Sequence, residues 1–119
     1  MRLKIVKIID RTSAKDERLW LKVLQDADLS FYVVFDTTYV NENQISNLQR
    51  HAYWFASKNV KTGDNVVLYT RKGTPNSKAN LDGTTSHFLY WGLDHPIWNN
   101  KGDCAVLMEL NSWTTSQYE

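Results

Sequence analysis

The sequence predicts an all-β fold, a sandwich or barrel of about seven to nine short strands. Aromatic or β-branched runs recur at spacings of about ten residues, separated by turns that carry Gly, Asp or Asn. No segment shows the apolar periodicity of a helix of ordinary length. Aromatic residues make up 13% of the chain, with five Trp and six Tyr, which supplies the large side chains a β core needs. At 119 residues, 42% of them hydrophobic, the chain fits one domain over 1–119 that buries a single core without disulfides.

Residues 3–9 (LKIVKII) and 18–24 (RLWLKVL), joined by the polar DRTSAKDE, read as neighbouring antiparallel strands. Period-two alternation turns Leu19, Leu21 and Val23 to the core and Arg18, Trp20 and Lys22 to the opposite face. The first run breaks this alternation. Leu3 and Ile5 share a parity that Val6 and Ile8 do not, so the run holds a bulge or is buried on both faces. A turn at 26–30 leads into a third strand at 31–40 (FYVVFDTTYV), dense in aromatic, Val and Thr residues. Residues 41–50 are polar and read as a loop, with Asn41 or Asn43 available to cap a single helical turn.

Residues 53–55 form a short strand, 61–64 a turn in which Gly63 takes positive φ, and 65–70 (NVVLYT) another strand. The stretch 71–86 (RKGTPNSKANLDGTTS) is polar, with two glycines and a proline, and reads as the longest loop of the chain. Strands resume at 87–91 and 104–110, with turns at 92–96 and 101–103 between them. Residues 111–119 read as a loose tail unless Trp113 docks it.

The balance of 14 basic against 13 acidic residues gives no global attraction to nucleic acid or to an anionic membrane. Cys104 is the only cysteine, no N-x-Ser/Thr sequon occurs, and charges interrupt the N-terminal apolar run. No apolar stretch approaches the roughly 18 residues of a membrane span. The expectation is a cytoplasmic protein with no membrane association.

From residue 53 onward the residues resemble the lamin-tail domain, an immunoglobulin-like β-sandwich of nuclear lamins that also occurs in bacterial proteins. The resemblance rests on Tyr53-Trp54-Phe55, Val60-Lys61-Thr62-Gly63, the strand 66–69, the loop at Gly73, Leu89-Tyr90-Trp91, Trp98, and Gly102-Asp103 followed by Ala105-Val106-Leu107. It implies an immunoglobulin-like sandwich with Trp91 and Trp98 in the core, in a family whose members are mostly appended to other domains. Lamin-tail sequences commonly close with a glycine-bearing hairpin, whereas Asn111-Ser112-Trp113 follows Leu110 here. The edge left open would be a place for a partner strand.

Catalytic signatures are missing from the sequence. His51, His87 and His95 lie on separate segments without metal-ligand spacing, Cys104 opens an apolar strand, and the run at Gly73 lacks the phosphate-loop pattern. The expectation is a non-enzymatic module with no cofactor, no metal and no small-molecule substrate. Its partner would be a protein or a second copy, met through the 71–86 loop with Arg71, Lys72 and Lys78, and through Trp113. The alternative is nucleic acid on Arg18, Trp20 and Lys22, within a segment 2–22 holding seven basic residues against three acidic ones. Against that alternative, the rest of the chain is slightly acidic and offers no extension of the patch. Exposed strand lysines also serve simply to discourage edge-to-edge aggregation.

Overall fold

The structure, a computed structural model, describes residues 1–45, 50–98 and 102–117. Eleven strands and one 3-10 turn lie among them. These are β1 (Leu3–Ile9), β2 (Arg18–Val23), β3 (Ala27–Asp28), the turn Leu29–Phe31, β4 (Tyr32–Asn41), β5 (Gln44–Ile45), β6 (Ala52–Trp54), β7 (Asn59–Val60), β8 (Asn65–Tyr69), β9 (Asn76–Ala79), β10 (Thr85–Tyr90) and β11 (Asp103–Glu109). The fold is all-β, as the sequence predicts. Because β3, β5 and β7 have two residues each, eight strands are longer than a bridge.

Two sheets enclose the core. One has the order β1-β2-β8-β10-β9, the other β11-β4-β5 with β6 also paired to β4. Leu3, Leu19, Leu21, Val23, Val66 and Leu68 of the first sheet meet Tyr32 and Val34 of β4, with Leu29, Phe55 and Val60 between. Burying each such Leu or Val stabilises the fold by about 1.5–3 kcal/mol, so this layer holds the sheets together. Trp98 is buried and Trp91 packs against the core.

The irregularity in the first strand is a bulge. The β1–β2 register shifts between Ile5 and Lys7, and the extra residue, Val6, faces outward. Its consequence is chemical, because it returns Lys7 to the face that Lys4 occupies: Lys4 lies opposite Lys22, and Lys7 opposite Trp20.

The stretch 71–86 is not one loop. Residues 76–79 form β9, an edge strand antiparallel to β10, and Asn80 to Thr84 turn between them. Gly83 takes φ +86°, Asn80 N–H donates to Thr84 O at 2.8 Å, and Asp82 Oδ1 accepts from Thr84 N at 3.0 Å. The turn specifies the hairpin, whereas β9 carries no apolar alternation and is exposed throughout. β10 runs parallel to β8, so the connection from β8 to β9 must cross the end of β10. It does so at Gly73.

The tail is docked as far as Trp113, whose ring meets Phe31 and Trp54 edge-on at 5.3 and 5.1 Å between centroids. The predicted loop 41–50 lies partly outside the described residues; within them Asn41 ends β4 and β5 follows a turn. Among the described residues the one helical turn stands at Leu29–Phe31, capped by Asp28, whose carboxylate accepts from Ser30 N.

Candidate functional site

The outer face of the five-stranded sheet gathers cations and aromatic rings. Not one residue in its five strands is Asp or Glu, while Lys4, Lys7, Arg18, Lys22 and Lys78 all stand on them. Register places the outward side chains in rows across the strands. Lys4, Lys22, Asn65, Ser86 and Lys78 form one row. The next holds Lys7, Trp20, Val67, Phe88 and Asn76, and a third Ile9, Arg18, Tyr69 and Tyr90. With strands about 4.8 Å apart, the lysine row spans roughly 19 Å, and the Trp20–Phe88 row lies about 7 Å from it.

Each row has its own internal order. Asn65 Oδ1 accepts from Trp20 Nε1 at 2.9 Å and from Lys22 Nζ at 3.1 Å, and its amide donates to Ser86 Oγ at 3.3 Å. These bonds fix the indole and the Lys22 stem against the sheet. At the third row the Tyr69 and Tyr90 rings stack with centroids 5.3 Å apart, and the Arg71 guanidinium lies 4.9 Å from one and 5.1 Å from the other. Arg18 covers Tyr69 from 5.6 Å and pairs with Asp10 at 2.9 Å. This corner is closed on itself, because Arg71 also donates to the backbone oxygens of Lys15 and Lys72.

The residues assigned to a partner do not form one site. Arg71 braces the tyrosines, Lys72 is exposed on the crossing connection, and Lys78 stands on β9. Trp113 sits instead with Phe31 and Trp54, against the other sheet. Arg18, Trp20 and Lys22, by contrast, do share a face, and the argument that nothing extends their patch fails. β9 and β10 extend it with Lys78 and Phe88. Folding carries acidic residues off this face: Glu17, Asp36, Asp64 and Asp103 are buried.

The three histidines each face a different carboxylate. His87 Nε2 lies 2.9 Å from Asp64 Oδ2, His51 Nδ1 3.2 Å from Asp36 Oδ2, and His95 Nδ1 2.8 Å from Asp94 Oδ1. The His51 and His95 rings touch edge-on, but no three His, Cys, Asp or Glu side chains converge as a metal site among the described residues. Burial, then the neighbouring Asp103 charge, pushes the Cys104 thiol up, away from the thiolate a nucleophile needs.

Asp64 links the stability of the five-stranded sheet to pH. Burial opposes its charge, yet bonds from His87, Lys61 N and Thr85 N outweigh that and hold the carboxyl below its ordinary value. A depressed carboxyl contributes stability that is present above the unfolded pKa of about 4 and lost as pH falls through the folded value. Asp64→Asn is therefore expected to cost about 1–3 kcal/mol at pH 7 and to flatten the fall in Tm below pH 4, as read from thermal melts across that range.

A pocket of about 450 Å³ lies at the opposite end of β11, lined by Arg2, Asp28, Phe31, Tyr32 and Glu109 among others. Its polar groups are mutually engaged, since Tyr32 Oη donates to Glu109, which also accepts from Arg2 N. Among the described residues no helix is long and apolar enough to cross a membrane. Compared with models of known protein families and with curated proteins, the chain matches none.

Proposed function

We propose that this chain is a non-enzymatic binding module whose working surface is the outer face of the five-stranded sheet, and that its partner there is polyanionic. One observation carries the reading: five strands without a single carboxylate present five cations on one face, in a chain whose net charge is only +1. The resemblance of residues 53–110 to the lamin-tail domain belongs to the same proposal. Its support is that Phe55 and Trp98, positions quoted for the resemblance, are core residues. A reducing compartment such as the cytoplasm is part of the same proposal, supported by a single cysteine that has no second one to pair with in the chain.

A second reading, a protein partner, has its own observation. Phe31, Trp54 and Trp113 remain 41%, 49% and 44% exposed while packed edge to face. Surplus exposed aromatic surface of this kind is used by interfaces.

The experiment is a binding titration with poly-glutamate and with oligothymidylate, comparing the wild-type chain with a Lys4→Glu, Lys22→Glu, Lys78→Glu variant. Binding of either polyanion that falls at least tenfold in the variant supports the reading. Failure of both to bind the wild type overturns it.

A further inference from the structure

We infer that the polyanion is a single-stranded nucleic acid that crosses the strands of this sheet, phosphates on the lysine row and bases on the Trp20–Phe88 row. The inference rests on the binding-face reading and adds the ligand class and its path.

The rows are arranged for such a ligand. Lys4 and Lys22 stand side by side in one row and Lys78 closes its far end, across the neutral Asn65 and Ser86, so the charge lies along a line across the sheet. A line of point charges tracks a phosphate backbone and fits a compact multivalent anion less well. About 7 Å along the strands, Trp20 and Phe88 are separated by Val67, two strands and roughly 9.5 Å apart. Both rings are part-exposed, and Trp20 is oriented by its bond to Asn65. Rings beside a basic groove are the stacking platform by which sheets hold single strands without reading sequence, because every base offers a π-face. A duplex would leave that row unused, since its bases are stacked inside. An acidic peptide has no rings to place there.

The Tyr69–Tyr90 stack is excluded from the reading surface. Arg71 lies over both rings and Arg18 over Tyr69, so these faces already hold cations. Bases are directed instead to Trp20 and Phe88. Asp82 bounds the path near Lys22, whose charge contributes to the low pKa of the Asp82 carboxyl, behind the hydrogen bonds from Thr84.

The test uses the full chain and four probes: oligothymidylate, the matching abasic oligonucleotide, a DNA duplex and poly-glutamate, followed by Trp fluorescence and calorimetry. The expected result is quenching by oligothymidylate, affinity at least tenfold above the abasic strand, and a log–log salt slope of about −2, from three lysines at about 0.7 each. Trp20→Ala and Phe88→Ala are each expected to weaken oligothymidylate about five- to a hundredfold while leaving the abasic strand nearly unchanged. Circular dichroism melts confirm that both variants fold, and Trp20→Phe, which keeps a stacking ring, should recover most of the affinity. Equal affinity for oligothymidylate, the abasic strand and poly-glutamate would overturn the inference and leave the binding face standing. A duplex bound as tightly as the single strand would overturn it too, and no binding of any probe would remove both.

Discussion

Glu17→Ala should cost about 3–5 kcal/mol and lower the Tm by on the order of 10 °C or more. Glu17 is fully buried, and its carboxylate gathers donors from the nearby Thr12 and from two distant parts of the chain. Oε2 accepts from Thr70 Oγ1 at 2.7 Å and Ile97 N at 3.0 Å; Oε1 accepts from Trp98 N at 3.1 Å and Thr12 N at 3.1 Å. Removing it leaves buried N–H groups with no acceptor, and each such group costs about 1–3 kcal/mol. It also releases Thr12, a β-branched residue held at φ +75°. Glu17→Gln separates bonding from volume. Whichever way the amide is turned, its NH2 confronts a backbone donor at Ile97 or Trp98, so about half the loss should persist although the shape is kept. Paired thermal melts of the two variants check this.

Gly73→Val should cost about 1–3 kcal/mol and open the Tyr69–Tyr90 corner of the five-stranded sheet. A Cβ on Gly73 would come within 2.7 Å of Tyr90 Cγ and nearer still to Cδ1 and Cε1, the root of a ring that cannot swing aside cheaply. The crossing connection passes directly over β10 there. To admit a side chain, Tyr90 must leave Tyr69, and Arg71 then loses one of its two rings. Near-ultraviolet circular dichroism, which reports tyrosine packing, should change along with the melting temperature. Gly73→Ala is expected to give a smaller change in the same direction.

These two residues show where sequence reasoning succeeds and where it stops. The faces of β2 were legible because Leu19, Leu21 and Val23 alternate with Arg18, Trp20 and Lys22, and a half-buried strand has no other way to satisfy that pattern. The bulge at Val6 was legible as a break in parity. β9 was not, since an exposed edge strand of Asn, Ser, Lys and Ala buries nothing, and its only signal was the Asp82-Gly83 turn inside a polar run. The role of Glu17 was hidden, because three of its four donors arrive from residues 70, 97 and 98. The extent of the cationic and aromatic face was hidden for a related reason. Trp20, Phe88 and Lys78 are remote in sequence and become neighbours only through the parallel pairing of β10 with β8 and the crossing at Gly73. The slight acidity of the chain outside residues 2–22 misled for a physical reason as well, since folding sorts charges by face and a net count does not.

The central claim is that the outer face of the five-stranded sheet is where this protein meets its partner. Amide chemical-shift mapping during an oligothymidylate titration tests it most directly. The account predicts shifts concentrated at Lys4, Trp20, Lys22, Lys78 and Phe88, with little change at Phe31, Trp54 and Trp113. Shifts centred on Phe31, Trp54 and Trp113, with the lysine row silent, would contradict it.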